Sequence, residues 1–497
     1  VLGVALLVSC EQDAIEGPEP AAPLPALSAG SLDLSTYVAL GSSETAGYTD
    51  GAMFKAIQNF SYPNLLSQKF AKAGGGDFNQ PLFNDNNGGL LLAGTQIIGP
   101  RFIFNGAGPA SILSVNPGAT PTTDIATNNP SGPFNNMGVS GASSFHKLAP
   151  GYGNIAGVPV GLANPYFVRM ASSAGASILG DAMAQQPTFF TLFTGLNDVL
   201  GYSTSGADDS TSSLTPVNGP PGVGFDGTLA ALVSTLTSGG AKGLLINVPK
   251  LYNFPFFTTV PHNPIPLKIS DAAAVNAAYA PYNGGLQAAY QALQGTGLLS
   301  ADEVAKRTIS FSAGANAVVI VDESLTDLGA INPAFAGLPK FRQATAEDYI
   351  LLPASAFIGT LAVPGNPLTV NGVAVPLADK WVLTPEEQLK LSNTIDGYNA
   401  LIKAAADSAG LAYVDADNYY NIIRTQGLTD GKFKLTNSLV TGGFFSLDGV
   451  HPTARGYALL TNILMKTLDA KFGSNFEASG NLLDIGDYPT NFSPAMQ

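Results

Sequence analysis

Two residues near the C-terminal end of this 497-residue chain have the types and the spacing of an acid and a base that act together. Asp448 and His451 are three positions apart, which brings both side chains to one side of a turn or of a first helical turn. The carboxylate can then orient the imidazole, and an oriented imidazole can take the proton of a serine hydroxyl. The pattern therefore indicates a histidine base with its own acid, which needs a serine elsewhere in the chain.

The other two histidines have no acid at this spacing. The residue three positions before His146 is Ser143, and the residue three positions before His262 is Thr259. His451 is therefore the candidate base. A structural alternative stays open, in which His451 only caps the helix that is expected to begin near Pro452.

The candidate nucleophile is Ser43. Residues 36–40 are mostly β-branched and apolar and predict a short buried strand, and Gly41 permits a tight exit from it. The Gly-x-Ser-x-Gly elbow of α/β-hydrolases is not met, because Thr45 stands where its second glycine would be. Taken alone, Gly-Ser-Ser is also a common loop sequence.

Two further segments offer hydrogen-bond donors for a negatively charged oxygen. The donors are the backbone N–H of Gly141 in one segment and the carboxamide of Asn197 in the other. The N–H of Ser43 would complete an oxyanion hole. Acyl transfer needs such preorganised donors close to the developing charge. The segment around Asn197 could instead be a turn that ends a strand, since Gly and Asn are common turn residues.

These blocks, in their order along the chain, resemble the SGNH hydrolases, also called the GDSL family of lipases and esterases. The resemblance is spread from residue 36 to about residue 457 and depends on few residues. The first block of that family reads Gly-Asp-Ser-Leu. Here Ser42 and Glu44 replace the aspartate and the leucine, while Ser43 remains.

The resemblance implies a carboxylic ester hydrolase that works through an acyl-enzyme on Ser43. His451 would be the base and Asp448 its orienting acid, with Ser43, Gly141 and Asn197 as the oxyanion hole and no cofactor. Substrates of the family include lipids, short-chain acyl esters and acetylated glycans. The alternative is a non-catalytic cell-surface protein that binds glycan or lipid on the same fold, with a decayed nucleophile turn.

The N-terminal residues predict export. Residues 1–10 read as the apolar core of a truncated signal peptide that ends at a cysteine and resembles a bacterial lipobox. Cys10 is the only cysteine, so an intrachain disulfide is excluded and a lipid anchor is the expected use of its thiol. We therefore expect a membrane-anchored lipoprotein, at the outer membrane or cell surface of a Gram-negative bacterium. The alternative is an ordinary signal peptide with a chance cysteine.

The remaining organisation follows from composition. Residues 11–33 are acidic and rich in proline and predict an extended tether, residues 34–473 a single hydrolase domain with insertions, and residues 474–497 a C-terminal tail. The net charge of −14 and the absence of a basic cluster argue against nucleic acid as a partner. Three scattered histidines and one cysteine offer no ligand spacing for a metal.

Apolar runs separated by helical patterns predict an α/β fold, a three-layer α/β/α sandwich around a parallel central sheet, as in SGNH hydrolases and flavodoxin-like proteins. Large loop insertions are expected at 75–135 and 203–224, and residues 251–268 could line an acyl pocket or form a packed surface loop. Predicted strands are 36–41, 189–195, 243–248, 317–322 and 411–415, and predicted helices are 384–407 and 453–472.

Overall fold

The computed structural model describes residues 23–496, which form a mixed α/β fold around a five-stranded parallel sheet. The strands are β1 (Tyr37–Gly41), β2 (Leu90–Leu92), β3 (Thr95–Ile98), β4 (Phe102–Phe104), β5 (Pro109–Ser111), β6 (Asn136–Gly138), β7 (Phe189–Phe193), β8 (Lys242–Ile246), β9 (Ile265–Leu267), β10 (Gly314–Asn316), β11 (Val319–Val321), β12 (Phe341–Gln343), β13 (Tyr349–Ile350), β14 (Val382–Leu383), β15 (Ala412–Val414), β16 (Leu428–Asp430) and β17 (Phe433–Leu435). The order in the central sheet is β15-β8-β7-β1-β6.

Helices connect and cover these strands. They are α1 (Ser43–Ala46), α2 (Lys55–Gln58), α3 (Tyr62–Lys72), α4 (Pro165–Val168), α5 (Ile178–Met183), α6 (Asn197–Thr204), α7 (Phe225–Thr237), α8 (Pro255–Thr258), α9 (Ile269–Ala292), α10 (Ala301–Arg307), α11 (Leu328–Ile331), α12 (Pro385–Ser408), α13 (Ala416–Thr425) and α14 (Ala454–Phe472). Helix α12 packs against α7, β8 and β15, while α14 packs against α3 and β15.

The register of the central sheet brings the ends of its strands level. Gly41 at the end of β1 pairs with Gly138 of β6 on one side and with Phe193 of β7 on the other. Strands β1 and β7 are buried along their whole length, as expected of a parallel sheet that is covered on both faces. The segments that leave β1, β6 and β7 therefore meet at one edge, where open α/β sheets bind their ligands.

Several predicted elements are confirmed to within two residues, namely the strands at 36–41, 189–195, 243–248 and 411–415 and both helices. Helix α12 begins with a capping box, in which Thr384 and Glu387 bind each other's backbone N–H groups. Strand β6 was not predicted, because its three residues, Asn, Met and Gly, carry no strand pattern.

The prediction for residues 317–322 is wrong about the sheet to which the strand belongs. Strand β11 lies outside the central sheet and pairs in antiparallel orientation with β12. A short run of valine and isoleucine fits any half-buried strand, so its composition does not identify its partner.

Strands β9 to β14 belong to an insertion between β8 and α12 that has its own apolar clusters, one of them around Val319 and Ile350. The predicted insertion at 75–135 is not free of regular structure, since β2 pairs with β3 and β4 with β5. Residues 251–268 lead from β8 into the larger insertion and carry α8 and β9.

Both ends of the described chain lie against the folded domain. The Ser31 N–H donates to Phe472 O at 2.9 Å and the Ser28 N–H to Asn475 Oδ1 at 2.7 Å, so part of the segment predicted as a tether contacts the end of α14. The predicted signal peptide, Cys10 and most of the predicted tether lie outside the described residues. No helix within residues 23–496 is both long and apolar enough to cross a membrane.

Candidate active site

The nucleophile turn follows β1 directly, and Gly41 is required there. A Cβ atom at Gly41 would lie 1.8 Å from Thr45 Oγ1 and 2.9 Å from the Phe193 carbonyl oxygen, so any side chain would collide with the first turn of α1 and with β7. Ser43 is the first residue of α1 and only 4% exposed. The close approach of strand and helix thus presents Ser43 at the sheet edge.

Ser42 connects this turn to the loop that carries Gly141. Its hydroxyl donates a 2.7 Å hydrogen bond to the Ala142 carbonyl oxygen. Ser42 therefore connects two of the predicted site segments, the turn that carries Ser43 and the loop that carries Gly141.

Asp448 and His451 form the pair that their spacing predicts. Gly449 has a φ of 73°, a left-handed conformation that favours glycine, and lets the chain turn between them. Asp448 Oδ2 lies 2.9 Å from His451 Nδ1 and accepts a 3.0 Å hydrogen bond from the Gly51 N–H. Asp448 Oδ1 accepts 2.9 Å bonds from the N–H groups of Val450 and His451.

These contacts separate the pKa values of the pair. Burial acts to raise the pKa of Asp448, but the charge of His451 and the hydrogen bonds to its carboxylate lower it to about 2. Burial acts to lower the pKa of His451, but Asp448, through charge and hydrogen bond, and Glu44, through charge, raise it. Asp448 is therefore ionised at neutral pH and orients an imidazole of increased basicity.

The other ring nitrogen of His451 lies near a second carboxylate. His451 Nε2 is buried and has no hydrogen-bond partner, and Glu44 Oε1 lies 3.8 Å from it. That distance is too long for a hydrogen bond and short enough for a strong charge interaction.

The hydrogen bond between Ser43 and His451 that the prediction requires is absent from the structure. The Ser43 hydroxyl instead lies 3.2 Å from the hydroxyl of Ser140, in the loop after β6. Links of this kind are often long or misaligned in a free enzyme and tighten when substrate binds. The structure therefore brings Asp448 and His451 together, while the hydroxyl of Ser43 contacts Ser140 and not His451.

Asn197 begins α6, and its carboxamide Nδ2 is buried without a hydrogen-bond partner. The neighbouring Asp198 accepts two bonds from Ser144, at 2.6 Å from the hydroxyl and 2.8 Å from the N–H. Asp198 thereby ties α6 to the Gly141 loop. Asn197 thus keeps a free donor in a segment whose position is fixed by its neighbour.

Gly141 lies at the exposed tip of the loop after β6, with a φ of 79°. The residue before it is held in place, because Asn164 Nδ2 donates a 2.8 Å hydrogen bond to the Ser140 carbonyl oxygen. Ser43, Gly141 and Asn197 therefore each follow one of three neighbouring strands, β1, β6 and β7.

A cavity of about 350 Å³ opens beside the pair, a size typical of small-molecule sites. Asn197, Asp448 and His451 line it, while Ser43 and Gly141 are not among the lining residues. Leu200, Phe256 and Val450 give it apolar walls, and the Phe256 N–H donates to Gly449 O at 3.0 Å. Segment 251–268 thus supplies one wall of this cavity.

Three residues at the site were not predicted, namely Glu44, Ser140 and Lys147. Lys147 is fully buried, with Nζ 3.3 Å from Ser143 O and 3.5 Å from Ser42 Oγ. Burial lowers the pKa of Lys147 to about 8, although the charges of Asp198 and Glu44 act to raise it. No sequence motif marks it, because Ser42, Asp198 and Glu44, which surround it together with the adjacent Ser143, come from distant segments.

Within residues 23–496, no group of three or more His, Cys, Asp and Glu side chains is arranged to hold a metal ion. The candidate site itself combines a histidine with its carboxylate, a serine at the end of a neighbouring strand and a free amide donor. Comparison with models of known protein families, with curated proteins and with solved structures found no match for this chain.

Proposed function

We propose that this protein is a serine hydrolase of the SGNH or GDSL type, which cleaves carboxylic esters through an acyl-enzyme on Ser43. The observation that carries the proposal is the Asp448–His451 pair, joined at 2.9 Å through Nδ1, with Nε2 unpartnered beside a cavity. A structural histidine is expected to satisfy both ring nitrogens, since an unpaired buried polar atom is costly. A catalytic base must leave one nitrogen free.

In the proposed reaction, the Ser43 hydroxyl leaves Ser140 and turns towards His451, whose Nε2 takes its proton as Ser43 Oγ attacks the ester carbonyl. Asp448 holds the Nδ1–H and stabilises the imidazolium. His451 returns the proton to the alcohol oxygen as the ester C–O bond breaks, which leaves the acyl group on Ser43. Water, deprotonated by His451, then attacks the acyl carbon, and His451 returns the proton to Ser43 Oγ as the bond between the acyl carbon and Oγ breaks and the acid leaves.

The oxyanion of the tetrahedral intermediate would be stabilised by the N–H groups of Ser43 and Gly141 and by the Asn197 carboxamide. The free Nδ2 of Asn197 supports this role, because a donor without a partner in the resting protein needs no bond broken before it binds the oxyanion.

The proposal extends to the fold and to location. Packing of α12 with α7, and of α14 with α3, supports a three-layer α/β/α sandwich of the SGNH or flavodoxin-like kind. Export and membrane anchoring through Cys10 rest on the sequence pattern of residues 1–10. The substrate would be an ester of a lipid, a short-chain acid or an acetylated glycan, with its apolar part against Leu200, Phe256 and Val450.

The second candidate is a non-catalytic glycan- or lipid-binding protein on the same fold. One observation favours it, namely that Ser43 contacts Ser140 and makes no hydrogen bond to His451. Such a protein would bind glycan or lipid without turnover.

A fluorophosphonate probe separates the two candidates before any substrate is known. We expect covalent labelling at Ser43, mapped by peptide mass spectrometry, and no labelling of a Ser43→Ala variant. Ser140→Ala is the matched control, because that hydroxyl is the neighbour of Ser43, and this variant should still be labelled. An adduct on Ser140, or none on folded protein, would contradict the hydrolase proposal.

A further inference from the structure

Glu44 occupies an unusual position for a glutamate, directly after the candidate nucleophile and inside the protein. It is 2% exposed, and its Oε1 has no hydrogen-bond partner. A buried carboxylate oxygen without a hydrogen bond is costly in the ionised form unless a positive charge compensates it. The nearest such group is His451, whose unpartnered Nε2 lies 3.8 Å away.

The charges around Glu44 and His451 come from several elements. Burial raises the pKa of Glu44, and the negative charge of Asp448 raises it further. The charges of His451 and Lys147 act to lower it. The phenols of Tyr420 and Tyr457 also face Glu44, and the Tyr48 ring packs on the imidazole at 4.5 Å between centroids. On its other side, His451 meets Asp448. An imidazolium here would therefore lie between two carboxylates.

On the basis of the proposed function, in which His451 is the base, we propose that Glu44 is a positioning residue that pairs with the protonated imidazole at Nε2. The pair holds His451 in its charged, inactive form and moves the onset of activity to higher pH. Loss of the proton from Nε2 removes the attraction, and the nitrogen can then accept the Ser43 hydroxyl.

This role depends on the carboxylate of Glu44, because an apolar side chain at position 44 could not retain an imidazolium. The raised pKa of His451 accords with this role, because the charge of Glu44 adds to that of Asp448 against the effect of burial.

The test is an NMR titration of the His451 imidazole in the full chain, labelled with ¹⁵N-histidine. The chain has three histidines, and the signal that is missing from a His451→Asn variant identifies the right one. We expect Glu44→Gln, which keeps the size of the side chain, to lower the midpoint of the His451 titration by about one pH unit. Glu44→Leu also removes the carboxylate and should lower the midpoint as well. It replaces the glutamine variant in the titration if that variant does not fold.

Glu477→Gln is the matched control, because this glutamate is exposed and pairs with Lys466 at 3.1 Å, and it should leave the midpoint unchanged. Burial lowers the pKa of His146 to about 4, so its signal titrates separately and reports on the intact loop near the site. The acid limb of fluorophosphonate inactivation should move with the His451 midpoint.

A midpoint that is unchanged or higher in a folded Glu44 variant overturns the role of Glu44. The titration does not depend on turnover, so the two proposals fail separately. If the midpoint falls but Ser43 is not labelled in any variant, the proposed Glu44–His451 pair stands and the hydrolase proposal fails. Labelling of Ser43 with an unmoved midpoint would retain the hydrolase and reject the pair.

Discussion

The insertion buries Arg342 between Asp322 and Asp348, whereas the candidate active site buries His451 between Asp448 and Glu44. In the insertion, the Arg342 guanidinium donates to Asp322 at 2.5 Å and to Asp348 at 2.6 and 2.7 Å. Both carboxylates are therefore bonded to the cation between them. At the site, only Asp448 is bonded, and Glu44 stays at 3.8 Å from the ring.

The two cations also differ chemically. Burial acts to lower the pKa of Arg342, but its bonds to Asp348 and Asp322 raise it, and arginine is charged at every working pH. Histidine changes its charge within the physiological range. A cation between two carboxylates therefore keeps its charge at every working pH when it is arginine, and gains or loses its charge with pH when it is histidine.

The two clusters differ in whether their buried polar atoms have hydrogen-bond partners. Among the described residues, seven buried side-chain atoms have no hydrogen-bond partner. Three of them, Glu44 Oε1, His451 Nε2 and Asn197 Nδ2, lie at the candidate site, the others belong to Asn87, Arg169, Thr194 and Asp379, and none belongs to Arg342, Asp322 or Asp348. Unpaired buried groups cost stability, and the proposed reaction gives a reason for those of His451 and Asn197.

The largest expected effect comes from Asp448→Asn. The rate constant for ester cleavage at low substrate should fall roughly 10³- to 10⁴-fold, because the imidazole loses the group that fixes its tautomer. In the unchanged protein this rate should climb as pH rises through the raised pKa of His451, since the base works only when neutral. Loss of the Asp448 charge should move this climb to lower pH.

Asp50→Asn is the control for that experiment. Asp50 is buried nearby and accepts a 3.0 Å bond from the Leu447 N–H, and burial raises its pKa to about 7. Its φ of 52° is a conformation that asparagine tolerates well. This variant should lose far less activity than Asp448→Asn, and equal losses would point to general damage of the turn.

Arg342→Met tests the structural cluster. Removing the cation leaves Asp322 and Asp348 buried without it, which should lower the free energy of unfolding by about 3–5 kcal/mol. Urea unfolding followed by Trp381 fluorescence measures this, because Trp381 is the only tryptophan and packs on Phe357 within the insertion.

Lys306→Met is the matched control for Arg342→Met. Its Nζ lies 3.3 Å from Asp322 Oδ2, but the side chain is 36% exposed, so the change should cost less than about 1 kcal/mol. A cost equal to that of Arg342→Met would mean that burial does not distinguish the two contacts.

Asn197→Ala should have a smaller effect on rate, a loss of roughly a hundredfold in the catalytic constant with KM little changed, as for one oxyanion donor. The urea midpoint should stay the same, because Nδ2 makes no hydrogen bond in the free protein. Steady-state kinetics and unfolding are measured on the same preparation.

Asn399→Ala should give the opposite result. This side chain donates to Val248 O at 2.9 Å and accepts from the Val248 N–H at 2.8 Å, so its loss should cost about 1–2 kcal/mol of stability and leave the rate nearly unchanged. If Asn197→Ala destabilised the fold equally, its amide would have a structural role.

Local features of this protein could be read from the sequence. The Asp448–His451 pair, the exit from β1 at Gly41 and the capping box at Thr384 each depend on residues a few positions apart. Backbone geometry and short hydrogen bonds within one turn contribute most to such features, so a local pattern can predict them.

Other features were decided by the tertiary structure alone. Strand β11 pairs inside the insertion, and the Gly51 N–H binds Asp448 across 397 positions. The approach of Glu44 to His451 and the bond of Ser43 to Ser140 likewise join distant segments. Such contacts depend on sheet register and packing, which no local pattern specifies, so the sequence by itself determined the Asp448–His451 pair, and the packing decided which residues face it.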